Sequence, residues 1–168
     1  MRALIQRVKW ASVEVVTDCG MQVVGRIDRG VLVYVGVAVG DEASHVRRLA
    51  EKVANLRVFP DAEGKLNLSV RDTRGGVLAV SNFTLLADAC KGRRPTFVAA
   101  APAEQAEVLH DTFIRELRSQ GLRVEAGAFG MDMTVGSAAD GPVNIIVDVP
   151  GTNLSGTENG RTGAIHKQ

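Results

Sequence analysis

The chain has 168 residues, 45% hydrophobic and 23% charged, with a formal net charge of +1. That length suits one domain with its own core and is short for two. Near-neutral charge excludes a whole-surface nucleic-acid binder but leaves room for a local basic patch. No apolar run approaches the roughly 20 residues of a membrane span. Aromatics make up 4%, so the core must rest on Val, Leu, Ile and Ala.

In chain order, residues 2–10 and 12–16 are rich in β-formers, and Thr17-Asp18-Cys19-Gly20 supplies a turn. Residues 21–27 read as a strand, Asp28-Arg29-Gly30 as a tight turn, and 31–39 as a strand buried on both faces. Asp41 is placed to cap a helix running to about Leu56, with Val46, Leu49, Val53 and Leu56 on one face. Residues 61–65 form a turn before a strand at 66–70, and Arg74-Gly75-Gly76 another before a strand at 77–86. Ala87–Thr96 is a loop. Pro102 suits the first turn of a second helix that continues to about Gln120. Its buried stripe is Ala106, Leu109, Phe113 and Leu117, and Gly121 is a natural C′ residue. Strands at 122–126, 129–136 and 143–149 close the domain. The pattern predicts one α/β domain over 1–149, with curved, barrel-like mixed sheets and two main helices packed on one side. Residues 150–168 lack periodic apolar positions and read as a flexible tail.

The familiar catalytic sets are missing. His45 and His110 fall on the polar sides of the helices and His166 lies in the tail, so all three read as solvated. No Cys/His/Asp group has metal-ligand spacing, and neither a phosphate-binding loop nor a dinucleotide fingerprint is present. Cys19 and Cys90, without CxxC spacing, read as free thiols of a reducing cytosol. The expectation is no metal and no cofactor, with chemistry left to backbone groups, hydroxyls or the substrate itself. Lys91-Gly92-Arg93-Arg94-Pro95-Thr96-Phe97 reads equally as a phosphate-contacting loop or a solvated one. Taken alone, Ser81–Leu85 is a fraying strand end with hydroxyls on nearby backbone, and Asp140-Gly141-Pro142 is a β-turn.

Taken together these segments carry more. Met1–Val8, Ala11-Ser12-Val13, Asp61–Asn67, Ser81–Leu85, Arg94–Phe97, Phe129 with Asp132-Met133, and Asp140–Val143 follow one another in the order and spacing of the D-aminoacyl-tRNA deacylases, which the chain resembles over roughly residues 1–149. The resemblance implies a cytoplasmic enzyme of translation quality control. It would cleave the ester between a D-amino acid, or glycine, and tRNA, as a homodimer with sites at the subunit interface. Gly141 and Pro142 would form a cis dipeptide inserted into the other subunit's pocket, where backbone oxygens exclude L-substrates, and Arg7 would brace it. Ser81, Asn82, Phe83 and Thr84 correspond to the family's catalytic Ser-Gln-Phe-Thr motif, with Asn82 in place of Gln. Either Thr84 is the nucleophile or the tRNA's terminal 2′-hydroxyl activates a water; the second is preferred, because no base stands beside Thr84 in the sequence. Phe83's amide would help stabilise the oxyanion. Phe129 and Met133 would shape the terminal adenosine pocket, and Phe97 would join the substrate contacts. A related group with a Pro-Gln-Ala-Thr-Leu motif and a trans Gly-Pro is less similar. Competing readings are a non-catalytic nucleic-acid binding dimer linked to DNA replication, and a small-molecule esterase.

Overall fold

A computed structural model describes residues 1–18, 20–90 and 92–150. The expected tail therefore lies outside the described residues, as do Cys19 and Lys91. The chain runs β1 (Arg2–Thr17), β2 (Gly20–Ile27), β3 (Gly30–Gly36), α1 (Ala43–Asn55), β4 (Phe59–Pro60), β5 (Leu66–Leu68), β6 (Gly76–Ser81), a 3₁₀ turn (Phe83–Leu86), α2 (Ala103–Ser119), β7 (Arg123–Ala126) and β8 (Met133–Asp148).

The predicted mixed α/β class holds, and β1 explains the curvature. One of its edges pairs with β8 along most of its length. The other pairs with β3 from Arg2 to Val8, then with β2 from Ala11 to Thr17. The two segments read separately from sequence are thus one strand that changes partner at exposed Lys9-Trp10. Parallel pairing of β3 with β6 and of β6 with β7 completes the main sheet. It then curls until β2 reaches β7: a Cβ on Gly25 would stand 2.5 Å from the Ala126 carbonyl oxygen, so only glycine permits that approach.

Both helices pack on one face. Val46, Leu49 and Val53 of α1 and Leu109, Phe113 and Leu117 of α2 meet Ile5, Val33, Val77 and Ala79 of the sheet. The opposite face closes over Val8, Val13, Ile27, Leu32, Leu78 and Val80. β3 therefore contributes side chains to both cores, as its unbroken apolar run predicted. Each fully buried Leu or Phe in these clusters contributes about 1.5–3 kcal/mol of transfer free energy.

Several expectations are corrected. Asp41 does not cap α1; Glu42 holds that position. Asp41 is buried instead, its carboxylate accepting from the Met1 amine at 2.7 Å and from the Ala38 N–H at 2.6 Å, because only such partners make a buried carboxylate tolerable. His45 is 2% exposed rather than solvated: its Nδ1 accepts from the Glu42 N–H, which folds the ring inward over the helix start. His110 is 3% exposed, since it sits four residues before Ile114 and seven before Leu117 and so shares their face. The strand expected at 77–86 stops at Ser81, and the two strands expected at 129–136 and 143–149 are one continuous β8.

Candidate functional site

Two clusters emerge from this frame. The first begins where β6 ends. The Asn82 N–H still donates to Val35 of β3 at 2.8 Å, but the next residues turn away into the 3₁₀ segment. Asn82 is the cap that ends the strand: its side-chain oxygen accepts from the Thr84 N–H at 3.0 Å and from the Thr84 hydroxyl. Beside this turn opens a cavity of about 530 Å³. Ser81, Asn82 and Phe83 line it, together with Phe97, Phe129 and Met133. Alanines at 100, 101, 103 and 106 leave it roomy on the side of α2.

The walls are mostly apolar and aromatic, as suits a planar ligand. Phe83 and Phe97 meet edge to face with ring centroids 5.1 Å apart, and both are solvent-exposed. His110 and Phe129 tilt together at 6.1 Å. The His110 Nε2 is buried without a hydrogen-bond partner among the described residues. Burial holds this imidazole below its ordinary pKa, with neighbouring Asp111 opposing the shift. His110 is a cavity residue that the sequence reading missed. Its i−3 and i−4 relation to Phe113 and Ile114 was the available signal.

Thr84 is exposed beside the cavity rather than in its lining. Its hydroxyl donates to an amide oxygen, which is no base at neutral pH, so the geometry gives it no activation as a nucleophile. The basic loop is solvent-exposed at Arg93 and Arg94. Just ahead of it the Asp88 carboxylate accepts from the Cys90 N–H at 2.9 Å, and its hydrogen bond to the thiol pushes the Cys90 pKa up.

The second cluster is a bulge in β8. Gln6 pairs with Asn144 and Val8 with Ala139, so four residues, 140–143, oppose Arg7 alone. Arg7 fills the gap. It is 8% exposed; its Nε donates to the Asp140 carbonyl at 3.0 Å and meets the Asp140 carboxylate at 3.1 Å, while Nη1 donates to the Val58 carbonyl at 2.6 Å. The Gly141–Pro142 peptide is cis, and Gly141 has φ +123°, a region that side-chain-bearing residues rarely adopt. Both residues are exposed, and neither lines the cavity of its own chain. The structure therefore gathers Ser81, Asn82, Phe83, Phe97, Phe129 and Met133 around one cavity, and Arg7, Gly141 and Pro142 in a separate projection.

Comparison with known proteins identifies the kinship. The family described as D-Tyr-tRNA(Tyr) deacylase matches residues 4–148. A D-aminoacyl-tRNA deacylase of Neisseria meningitidis serogroup B is 48% identical over 155 residues, covering 92% of this chain and 95% of that one. One from a Roseiflexus species is 51% identical over 148 residues, covering 88% and 93%. Among solved structures, the c-Myc DNA unwinding element binding protein superposes with a TM-score of 0.82 at 38% identity, over 89% of this chain and 99% of that one. A probable eukaryotic D-amino acid tRNA deacylase shares the fold with a TM-score of 0.77 at 18% identity, over 88% and 98%.

Proposed function

The chain belongs to the D-Tyr-tRNA(Tyr) deacylase family, enzymes that hydrolyse the ester of D-aminoacyl-tRNA, and we propose that its reaction takes place in the cavity beside Ser81–Phe83 across a homodimer interface. The observation that carries the two-subunit reading is the separation of the clusters. Gly141 and Pro142 project from the surface, braced by Arg7, yet contribute nothing to their own chain's cavity. A second copy can bring them to it.

In this reading the terminal adenosine packs between Phe129 and Met133, with Phe97 at the rim, as an unstacked nucleotide is commonly held. The acyl carbon then lies near Ser81–Phe83, where the Phe83 amide stabilises the developing oxyanion. The adjacent 2′-hydroxyl of the substrate activates the attacking water, consistent with a Thr84 hydroxyl already donated to Asn82. Backbone oxygens of the partner's dipeptide stand where an L-residue would place its side chain. Glycine, having none, passes, so glycyl-tRNA is a second substrate. The enzyme serves cytoplasmic proofreading of translation; no helix among the described residues is long and apolar enough to cross a membrane.

The test is hydrolysis of D-tyrosyl-, L-tyrosyl- and glycyl-tRNA, with sedimentation of the active species. Release of D-tyrosine and glycine but not L-tyrosine by a dimer is expected, and a 2′-deoxy terminal adenosine abolishes it. A fully active monomer refutes the shared site. Tight nucleic-acid binding without hydrolysis would favour the binding-module reading instead.

A further inference from the structure

At residue 82 this chain carries Asn where the resemblance leads one to expect Gln, and the local geometry gives the shorter side chain a definite task. Two donors from the same residue, the Thr84 N–H at 3.0 Å and the Thr84 hydroxyl, converge on the Asn82 side-chain oxygen. That convergence fixes which end of the amide is oxygen, since both donors need an acceptor. The backbone of residue 82 is held as well. Its N–H donates to Val35, and its carbonyl accepts from the Leu85 N–H at 3.4 Å. A Cβ on Gly36 would stand 3.1 Å from that carbonyl oxygen, so the absence of a side chain at 36 leaves the turn its room.

We propose that Asn82 is a positioning residue, not a substrate ligand: its amide oxygen holds the Phe83–Thr84 turn so that Phe83 keeps its place in the cavity wall. The inference rests on the deacylase reading of that cavity. Cap preference runs to Asn, Asp, Ser and Thr, whose oxygens reach a backbone N–H two or three residues on; Gln carries its oxygen one methylene too far. Asn82 and a Gln at this position would thus not be equivalent. One holds its own turn, whereas the other must do something else with its amide. The same bond leaves the Thr84 oxygen an acceptor only, because its proton is already given away.

Three variants separate a cap from a contact. N82A removes both, N82Q keeps the amide and loses the cap, and N82S keeps a capping oxygen and loses the amide. The expected result is a fall in kcat of about tenfold for N82A on D-tyrosyl-tRNA with KM nearly unchanged, the rate equivalent of one lost cap. N82Q falls with N82A, and N82S recovers to within about threefold of the parent. Amide NMR supplies the readout independent of activity: the Thr84 N–H exchanges faster with solvent in N82A and N82Q but not in N82S. Parental kcat in N82Q combined with loss in N82S overturns the proposal, because the amide would then be the group that matters. Equal kcat in all three variants, or an unchanged Thr84 N–H in N82A, overturns it too. If the parent releases no D-tyrosine, the deacylase reading fails by itself, and the NMR series still decides whether Asn82 is the cap.

Discussion

The cavity rim at Ser81–Leu86 and the bulge at residues 140–143 are both breaks in a strand, yet opposite forces hold them. The rim is held mostly by its neighbours. Asn82 bonds Thr84 two residues away, and the chain turns because a capping side chain sits where β6 ends. The bulge is held from afar. Arg7, 133 residues from Asp140 and 51 from Val58, ties both carbonyls to one guanidinium. A locally capped turn tolerates change by small degrees, whereas a projection resting on one buried arginine does not.

The largest expected effect follows from that contrast. Arg7→Ala strands two carbonyls and a half-buried carboxylate, and should cost about 3 kcal/mol in urea unfolding. D-tyrosyl-tRNA hydrolysis should fall further than the lost stability explains. Arg7→Lys keeps the charge but not the fork, and should lie between the two. Loss no greater than for a surface arginine would erase the distinction between rim and bulge.

Gly141→Ala comes next. A Cβ there stands 3.0 Å from Arg7 Nη2 at a φ that L-residues avoid, a cost of about 1–2 kcal/mol. The ratio of D- to L-tyrosyl-tRNA hydrolysis should drop further than that loss of stability explains. A preserved ratio would mean that the projection does not read chirality.

On the cavity side the pH response should be smaller. Burial lowers the folded-state pKa of His110 below its ordinary 6.5, so the unfolded chain takes up a proton first as pH falls. Stability contributed by this group is complete above that value and declines as pH drops through it toward the folded pKa. His110→Phe should flatten that part of the decline, measured as melting temperature between about pH 7.5 and 5.5. Parallel curves would show that the decline belongs to other groups. Smallest of all is Thr84→Ala. The Thr84 backbone bond to Asn82 survives, and kcat should stay within about fivefold of the parent.

Much of the rim was legible because its causes are local. The apolar run into Ser81, the polar residues after it and the aromatic at 83 all lie within a few positions. Even there the strand end was misplaced, since apolar residues recur at Phe83, Leu85 and Leu86 while the cap at Asn82 ends the strand. Phe129 and Met133 were reached through resemblance, and their meeting with Phe83 required the fold. His45 and His110 were misread because helical periodicity marks a face but not its width: one ring was drawn inward by a cap, the other by packing against Phe129.

The sequence by itself determined the elements whose signals are short-range: the two amphipathic helices, the doubly buried β3, the turns at 28–30 and 74–76, and the family to which the motifs belong. Tertiary structure alone decided that β1 and β8 are single long strands and that Asp140-Gly141-Pro142 is a bulge within one of them rather than a free turn. Turn chemistry looks the same in both settings. The difference lies in register, which is fixed by where Gln6 and Val8 find their partners more than 130 residues away.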